Sequence, residues 1–340
     1  MLYKVALIGF GAANMLFLAY MASSYPELLH DTVIIDPTLN GGALQNSWAN
    51  VRSNTTYIQF ISALKRFSAT ADFAEKISPR FAEDQPTPLH VLARSLREAV
   101  QPFMRKITII KDTVKNITED EKKVFKIELK GLSIQAEKVI FSPGSKPKVF
   151  NYPIPTIPLN AALDNRQVGS YISAGDRVIL FGTAHSGCLV LGNLIVCGAR
   201  VSLVYATDKP FLFARDGEYD GIKQDAAVIA DAVLANEAPY DRQVELIYYK
   251  NTEAILAAAM RADYACYTVG FSVEPAECFG YETGYNPETA KLREGSEIYG
   301  FGIAFPNCTR VGEKVFWDVS IPSFTEHILK TNILSTVSSE

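Results

Sequence analysis

Twice in this chain an apolar run of strand character breaks into a glycine-rich turn and resumes as an apolar stretch of helical character. The first instance is YKVALIGFGAAN, residues 3–14, and the second is DRVILFGTAHSG, residues 176–187. A buried parallel strand that turns on glycine into a helix aims the helix N-terminus beyond the strand, an arrangement that cradles a pyrophosphate. The first copy carries further marks of such a site. A second strand, Thr32–Ile35, ends in Asp36, where a carboxylate accepts from ribose hydroxyls, and Gly41-Gly42 follows. The fold class implied is α/β, with two Rossmann-like dinucleotide-binding domains. Two nucleotides in one chain point to electron transfer from one to the other.

The rest of the sequence bounds this reading. At 340 residues the chain is long enough for two cores. With 48% hydrophobic and 21% charged residues it is globular. A net charge of −4 and the lack of any block of Lys or Arg argue against nucleic acid as a partner. Lys4, the apolar run after it and Ala22-Ser23-Ser24 share a pattern with signal peptides. The same residues complete a strand–turn–helix, however, and are read as structure. No run reaches the roughly 18 apolar residues of a membrane span, so no membrane partner is expected. Cys188, Cys197, Cys266, Cys278 and Cys308 form neither a disulfide framework nor a CxxC pair. The histidines show no metal-ligand spacing. A reducing, cytoplasmic compartment and no metal are expected, and the sequons at Asn54, Asn116 and Asn307 then carry no meaning.

Along the chain, residues 37–60 form a polar connection too long for a simple loop, and such loops are often functional. Residues 59–77 read as helical and 79–88 as a proline-bearing bend. Leu89, Leu92, Leu96, Val100 and Phe103 mark a helix to Met104. Short strands at 107–114, 124–130 and 132–135 suggest an antiparallel ribbon inserted into the first domain. Residues 137–142 form a buried strand ending in Pro143-Gly144-Ser145. Prolines 147, 153, 155 and 158 make a stiff connector and a domain boundary. One domain is therefore expected from residues 1–150 and 265–340, with a second, 151–264, inserted into it. Residues 271–297 read as irregular, 298–305 and 314–318 as short strands, and 323–334 as a final helix.

Several residues carry the chemistry. Gly9 permits the tight turn, and Gly11 lets the amides of Ala12, Ala13 and Asn14 approach phosphates. Asn14 stands where close strand–helix packing usually wants glycine. Asp36, ahead of Pro37, is placed to accept from both ribose hydroxyls; the alternative is a turn aspartate. In the second turn, Gly182-Thr183-Ala184-His185-Ser186-Gly187, Ala184 replaces the middle glycine and sets one methyl against the phosphates. Beyond the paired strand, Tyr205-Ala206-Thr207-Asp208-Lys209 offers a 2′-phosphate only Lys209 beside Asp208. A nicotinamide nucleotide here is expected to be NAD rather than NADP. The alternative is a domain that has kept its fold and lost its ligand. His185, alone on a helix-opening turn, reads as a capping residue.

In order and spacing these landmarks resemble flavoproteins with two dinucleotide-binding domains: thioredoxin reductases, the pyridine nucleotide–disulfide reductases and flavin-containing monooxygenases. Almost the whole chain is covered. The first turn with Asp36 and Gly41-Gly42 is similar to their FAD fingerprint. VIFSPGSKPKV (139–149, with Gly144) and YTVGFSVEP (267–275) resemble the two crossings between domains. EKVFWDVSIPSF (313–324) is similar to the C-terminal flavin segment, with Asp318 at the ribityl-binding position and Trp317 in place of a glycine. The loop GGALQNSWANVRSNTT (41–56) resembles the monooxygenase loop beside the flavin and offers Gln45, Trp48 and Asn54. Asn54 is the candidate amide facing flavin or oxygen, the alternative being loop-stabilising hydrogen bonds, and Trp48 is either a ring that packs on the flavin or one that fills core.

The resemblance implies FAD, NAD(P)H as donor, a small-molecule substrate and a homodimer. The activity it implies is that of an FAD-dependent oxidoreductase passing electrons to oxygen or a small organic molecule, with monooxygenase-like hydroxylation as the sharper form. Two alternatives stand beside it. One is a flavin- or nucleotide-binding scaffold without turnover, and the other is an atypical disulfide reductase lacking CxxC.

Overall fold

A computed structural model describes every residue except 78–85, 212–213, 216–217, 220–221, 223, 274–283, 312–313 and 336–340. Cys278 and most of the bend expected at 79–88 lie outside the described residues. The chain divides into two compact units. Unit 1 comprises Met1–Lys146 and Ser272–Glu340, and unit 2 is Pro147–Phe271.

Unit 1 opens with β1 (Leu2–Ile8), α1 (Ala12–Ser24) and β2 (Thr32–Ile35). The sequence of α1, AANMLFLAYMASS, has no charge and no polar stripe. A helix apolar all round is one covered on all sides, and Met15 through Ala19 are fully buried. It ends at Tyr25, because Pro26 cannot continue it. The expected helical stretch 59–77 is two helices, α2 (Tyr57–Lys65) and α3 (Ser68–Lys76), and α4 (Leu89–Met104) follows. Then come β3 (Thr108–Ile110), β4 (Asn116–Glu119), β5 (Phe125–Glu128) and β6 (Ser133–Phe141).

The expected ribbon is corrected here. Thr108–Ile110 pairs in parallel with β2 as a strand of the main sheet. Residues 132–135 and 137–142 belong to one strand, β6, whose start pairs antiparallel with β5 and which runs parallel to β1. The alternation of 132–135 and the apolar run of 137–142 are two burial environments along that strand.

Unit 2 is built from β7 (Arg177–Phe181), α5 (His185–Val196), β8 (Arg200–Tyr205), α6 (Asp225–Leu234), β9 (Val244–Tyr248), α7 (Thr252–Arg261) and β10 (Tyr264–Tyr267). Its sheet has the order β9-β8-β7-β10, with every pair parallel. Back in unit 1, β11 (Ile298–Gly300) pairs in parallel with the end of β6, and β12 (Asn307–Val311) with β13 (Lys314–Asp318) makes a hairpin. The helix α8 (Ile321–Thr331) closes the description.

The main sheet of unit 1 runs β3-β2-β1-β6-β5-β4, with β11 beside β6. Register places the site. Ile8 pairs with Ile35, so the next residues, Gly9 and Asp36, emerge side by side at the carboxyl ends of their strands. In unit 2 Phe181 pairs with both Val204 and Tyr267, which sets Gly182 beside Thr268. No described helix is long and apolar enough to cross a membrane.

Candidate functional site

In unit 1 the glycine turn is held by hydrogen bonds of Gly9, Phe10 and Asn14. Gly9 donates its N–H to the Ile35 carbonyl at 2.9 Å. Its φ is +87°, and a Cβ here would sit 2.2 Å from the Ser142 carbonyl oxygen. Only glycine fits such a position. Phe10 donates its N–H to Asp36 Oδ2 at 2.8 Å, tying the turn to the end of β2. Asn14, fully buried, donates its side-chain amide to the carbonyls of Ile8 (2.9 Å) and Gly9 (2.8 Å) and accepts from the Ser142 hydroxyl at 3.2 Å. The residue in the packing-glycine place thus stitches strand, turn and β6 together. Its side chain is committed to that task and is not free for a ligand.

Gly11 is the N-cap of α1, and no side chain caps the helix. The first intrahelical bond is Met15 N–H to the Gly11 carbonyl at 3.0 Å. The amides of Ala12, Ala13 and Asn14 therefore lack intrahelical acceptors, and all three residues are buried. A Cβ on Gly11 would meet nothing within 4 Å. A buried, uncapped helix end facing open space fits a pyrophosphate, which supplies the missing acceptors and complements the helix dipole. Gly42, with φ +65°, approaches from the other side: its added Cβ would lie 3.4 Å from Gly11 Cα.

Asp36 differs from the sequence expectation. Its Oδ1 accepts from the N–H groups of Thr38 (2.8 Å) and Leu39 (2.6 Å) and from the Thr38 hydroxyl (3.1 Å), while Oδ2 takes Phe10 N–H. A carboxylate has about four acceptor sites on its two oxygens. Oδ1 is saturated by its own loop, so one ribose hydroxyl, on Oδ2, can be held rather than two. Sequence reading set the ribose acceptor against a turn aspartate as its alternative; the following loop turns back on the carboxylate, so Oδ1 takes the turn role and Oδ2 keeps room for an acceptor role.

That loop lies on α4. Gly41, at φ +103°, has Ala93 Cβ at 3.4 Å and Arg97 Cδ at 3.5 Å from where a Cβ would stand, and Arg97 donates to the Asn40 carbonyl at 3.4 Å. Between loop and helix runs a cleft of about 470 Å3, lined by Phe10, Leu39, Gln45, His90, Arg94 and Arg97 among others. His90 donates Nδ1–H to the Ala49 carbonyl at 2.6 Å, which leaves Nε2 as its acceptor. Glu98 lines the cleft too and pairs with Arg94 at 2.8 Å; this polar wall was missed from sequence, since helical arginines are ordinary until the loop against them is known.

The proposed catalytic residues sit further along. Trp48 is half-buried. Asn54 is half-buried on the short strand Arg52–Thr56, where its Oδ1 accepts from the Thr55 hydroxyl at 3.4 Å. Facing it, the strand Pro86–Pro88 carries Thr87, whose buried hydroxyl has no partner among the described residues. Pro37 is exposed, and Gly144, at φ +95°, borders open space. Asp318 is exposed, ends β13 and turns Oδ1 onto its own chain, accepting from Ser320 N–H at 2.8 Å.

In unit 2 the turn repeats the plan with different residues. Gly182, at φ +104°, would place a Cβ 2.6 Å from Thr268 Oγ1, and one on Gly187 would lie 2.2 Å from the Gly182 carbonyl oxygen. Thr268 donates its hydroxyl to the carbonyls of Phe181 (2.8 Å) and Gly182 (3.1 Å), a lock invisible in the motif. Ala184 is the N-cap of α5, again without a side-chain cap. The helix end fits an anion, with the Ala184 methyl placed where Gly11 leaves space. Thr183 is buried, and its carbonyl accepts from the Cys188 thiol at 3.7 Å. Burial pushes the thiols of Cys188 and Cys266 up to about 12.

A family model for pyridine nucleotide-disulphide oxidoreductases matches residues 26–300. Among solved structures, the chain is similar to bacillithiol disulfide reductase from Staphylococcus aureus, at 14% identity and a TM-score of 0.61, covering 99% of this chain and 100% of that one. It is similar to a flavin-containing monooxygenase from Stenotrophomonas maltophilia at 12% identity and a TM-score of 0.62, covering 99% of each chain. Lactococcus lactis thioredoxin reductase gives 13% identity and a TM-score of 0.57 over 98% of this chain and 99% of that one. No curated protein matches the sequence.

Proposed function

The chain belongs to the pyridine nucleotide-disulphide oxidoreductase family, whose cofactors are FAD and NAD(P)H, and from that premise we propose an oxidoreductase that takes hydride from NADH and passes electrons to dioxygen or a small organic acceptor. The observation that carries the choice of acceptor is the state of the thiols. Reducing a disulfide requires a thiolate near the flavin, and reactive cysteines have lowered pKa values in exposed, electropositive surroundings. No CxxC occurs in the sequence, and Cys188 and Cys266 are buried with thiols pushed up to about 12. The described cysteines are all free, which supports a reducing compartment such as the cytoplasm.

The bound flavin supplies the two-electron chemistry, and the chain's own residues do the rest. The amides at the start of α1 hold the pyrophosphate, Gly11 leaves it room, and Asp36 Oδ2 accepts one ribose hydroxyl. Arg97 keeps the Asn40–Gly42 segment against α4. Asn54 offers its amide N–H groups to the reacting partner. In unit 2, the start of α5 takes the nicotinamide dinucleotide, and Asp208 next to Lys209 disfavours a 2′-phosphate.

The test is anaerobic addition of NADH, then NADPH, to flavin-loaded protein. NADH should bleach the oxidised-flavin bands at lower concentration than NADPH, and reoxidation should follow admission of air. Persistent bands would establish instead the reading favoured by Ala184, a nucleotide-binding scaffold. Rapid reoxidation by a low-molecular-weight disulfide would overturn the choice of acceptor.

A further inference from the structure

Unit 2 has a second concave surface, at the amino ends of its strands, opposite the Gly182 turn. The first residues of β7, β8 and β9 and the ends of the short helix Tyr240–Gln243 and of α7 enclose a cleft of about 280 Å3. Four arginines line it: Arg177, Arg200, Arg242 and Arg261. Their concentration does not reflect a basic protein, since the chain carries a net charge of −4.

Arg177 and Arg200 stand directly opposite each other in the parallel register of β7 and β8. Like charges in that relation repel. Neither makes an ion pair with a described residue, although carboxylates are close. Asp263 Oδ2 accepts from the backbone N–H of Arg177 at 2.9 Å, and Asp176 Oδ2 from that of Ser173 at 2.8 Å. Glu245, the acidic side chain in the lining, has its Oε2 shared between the Ser202 hydroxyl (3.1 Å) and Arg261 (3.5 Å). Asp241 is 3.5 Å from Arg242. The carboxyl ends of α5 and α7 favour nearby cations, which accounts for an arginine such as Arg261 in the last turn of α7. It does not account for two adjacent guanidinium groups left without carboxylates.

We propose that this cleft is a binding site for a compact phosphorylated polyanion, a ligand of about the size and charge of pyrophosphate. Guanidinium groups hold phosphate oxygens by paired N–H donors, and Arg177 and Arg200, side by side in register on the lining of the cleft, supply two such groups. The site lies at the edge of the sheet away from the glycine turn, and the proposal does not depend on the acceptor of the redox reaction.

The test uses flavin-loaded full-length protein at low ionic strength with inorganic pyrophosphate as the probe. Calorimetry should show saturable binding, and a thermal scan should show a rise in Tm. Arg177→Gln/Arg200→Gln should weaken binding by roughly tenfold or more, and its Tm without pyrophosphate should equal or exceed that of the parent because the repulsion is gone. Arg177→Lys/Arg200→Lys, which keeps the charge and loses the forks, should fall between. An unaltered circular dichroism spectrum with a cooperative thermal transition in each variant shows that unit 2 keeps its fold. Should the Gln pair destabilise the protein, Arg200→Gln alone makes the same comparison. No binding, binding unchanged in the Gln pair, or binding abolished by added NAD would overturn the proposal; the last result would place the anion at the start of α5.

Discussion

The two glycine turns have each given up one glycine of the same motif, but not the same one. The unit 1 turn keeps the ligand-facing glycine, Gly11, and replaces the packing glycine with Asn14. The unit 2 turn keeps the packing glycine, Gly187, and replaces the ligand-facing one with Ala184. The first loss is repaired from within, because the Asn14 amide bonds two carbonyls and receives the Ser142 hydroxyl. The second has no such repair: the Ala184 methyl occupies space at the helix end and makes no bond that replaces the close approach a glycine allows. On the proposed function, one turn grips its nucleotide and the other holds one loosely. That difference suits a resident cofactor and an exchanging donor.

The largest effect is expected where both turns are least tolerant. Gly9→Ala forces a Cβ to 2.2 Å from a backbone oxygen at φ +87°. Left-handed strain and overpacking together should cost about 3 kcal/mol or more. Denaturant titration should show unit 1 destabilised, and a shift of under about 1 kcal/mol would mean the turn relaxes. Gly187→Ala meets the Gly182 carbonyl oxygen at 2.2 Å without positive φ, so about 1–3 kcal/mol is expected.

Gly11→Val separates ligand from fold. Nothing lies within 4 Å of the added Cβ, and the residue's φ of −85° suits any side chain. The apoprotein should keep its Tm or gain slightly, since replacing glycine removes unfolded-state freedom. FAD affinity should fall on the order of 100-fold, equivalent to about 2.7 kcal/mol. A loss of apoprotein stability with FAD retained would reverse the assignment of this position.

Acid should distinguish the units as well. In unit 1, His327 is fully buried, donates Nε2–H to the Pro287 carbonyl at 3.0 Å, and has no partner for Nδ1 among the described residues. Burial holds its pKa down to about 4 from an ordinary 6.5. The unfolded chain binds this proton first, so the contribution is complete above pH 6.5 and is lost as pH falls toward about 4. The loss should be on the order of 2–3 kcal/mol. His327→Gln should flatten this part of the unit 1 stability profile and leave that of unit 2 unchanged.

Much of this was legible in the residues. Both strand–turn–helix units, the place of Asp36 at a strand end and the covered helix α1 follow from apolar patterning and glycine spacing, which are local properties. What was not legible depends on partners distant in sequence. Asn14 reads as a defect until Ser142 is beside it, 128 residues away. Asp36 reads as a ribose ligand for two hydroxyls until Thr38 and Leu39 fold back on it. Thr268 gives no signal until it stands next to Gly182. The parallel strand Thr108–Ile110 is too short for alternation to tell its neighbours, so it was grouped with the ribbon that follows.

The smallest effect is the most specific to the comparison. Ala184→Gly would give the unit 2 turn the glycine that unit 1 already has. The removed methyl stands at the N-cap of α5, where glycine is favoured over alanine, and the gain is offset by the freedom glycine adds to the unfolded chain, so stability should change by less than about 1 kcal/mol. Removal of one methyl's clash or lost contact should improve NADH binding by about 1 kcal/mol, roughly fivefold. The concentration of NADH that half-saturates anaerobic flavin reduction should fall accordingly, with the rate at saturation unchanged, because the group touches the phosphates and not the reacting carbon. A lower saturating rate would mean that loose binding is itself part of turnover, with release of the oxidised nucleotide as the slow step. No change in either quantity would mean that the nicotinamide nucleotide does not use the start of α5, and the likeness between the two turns would then be one of fold alone.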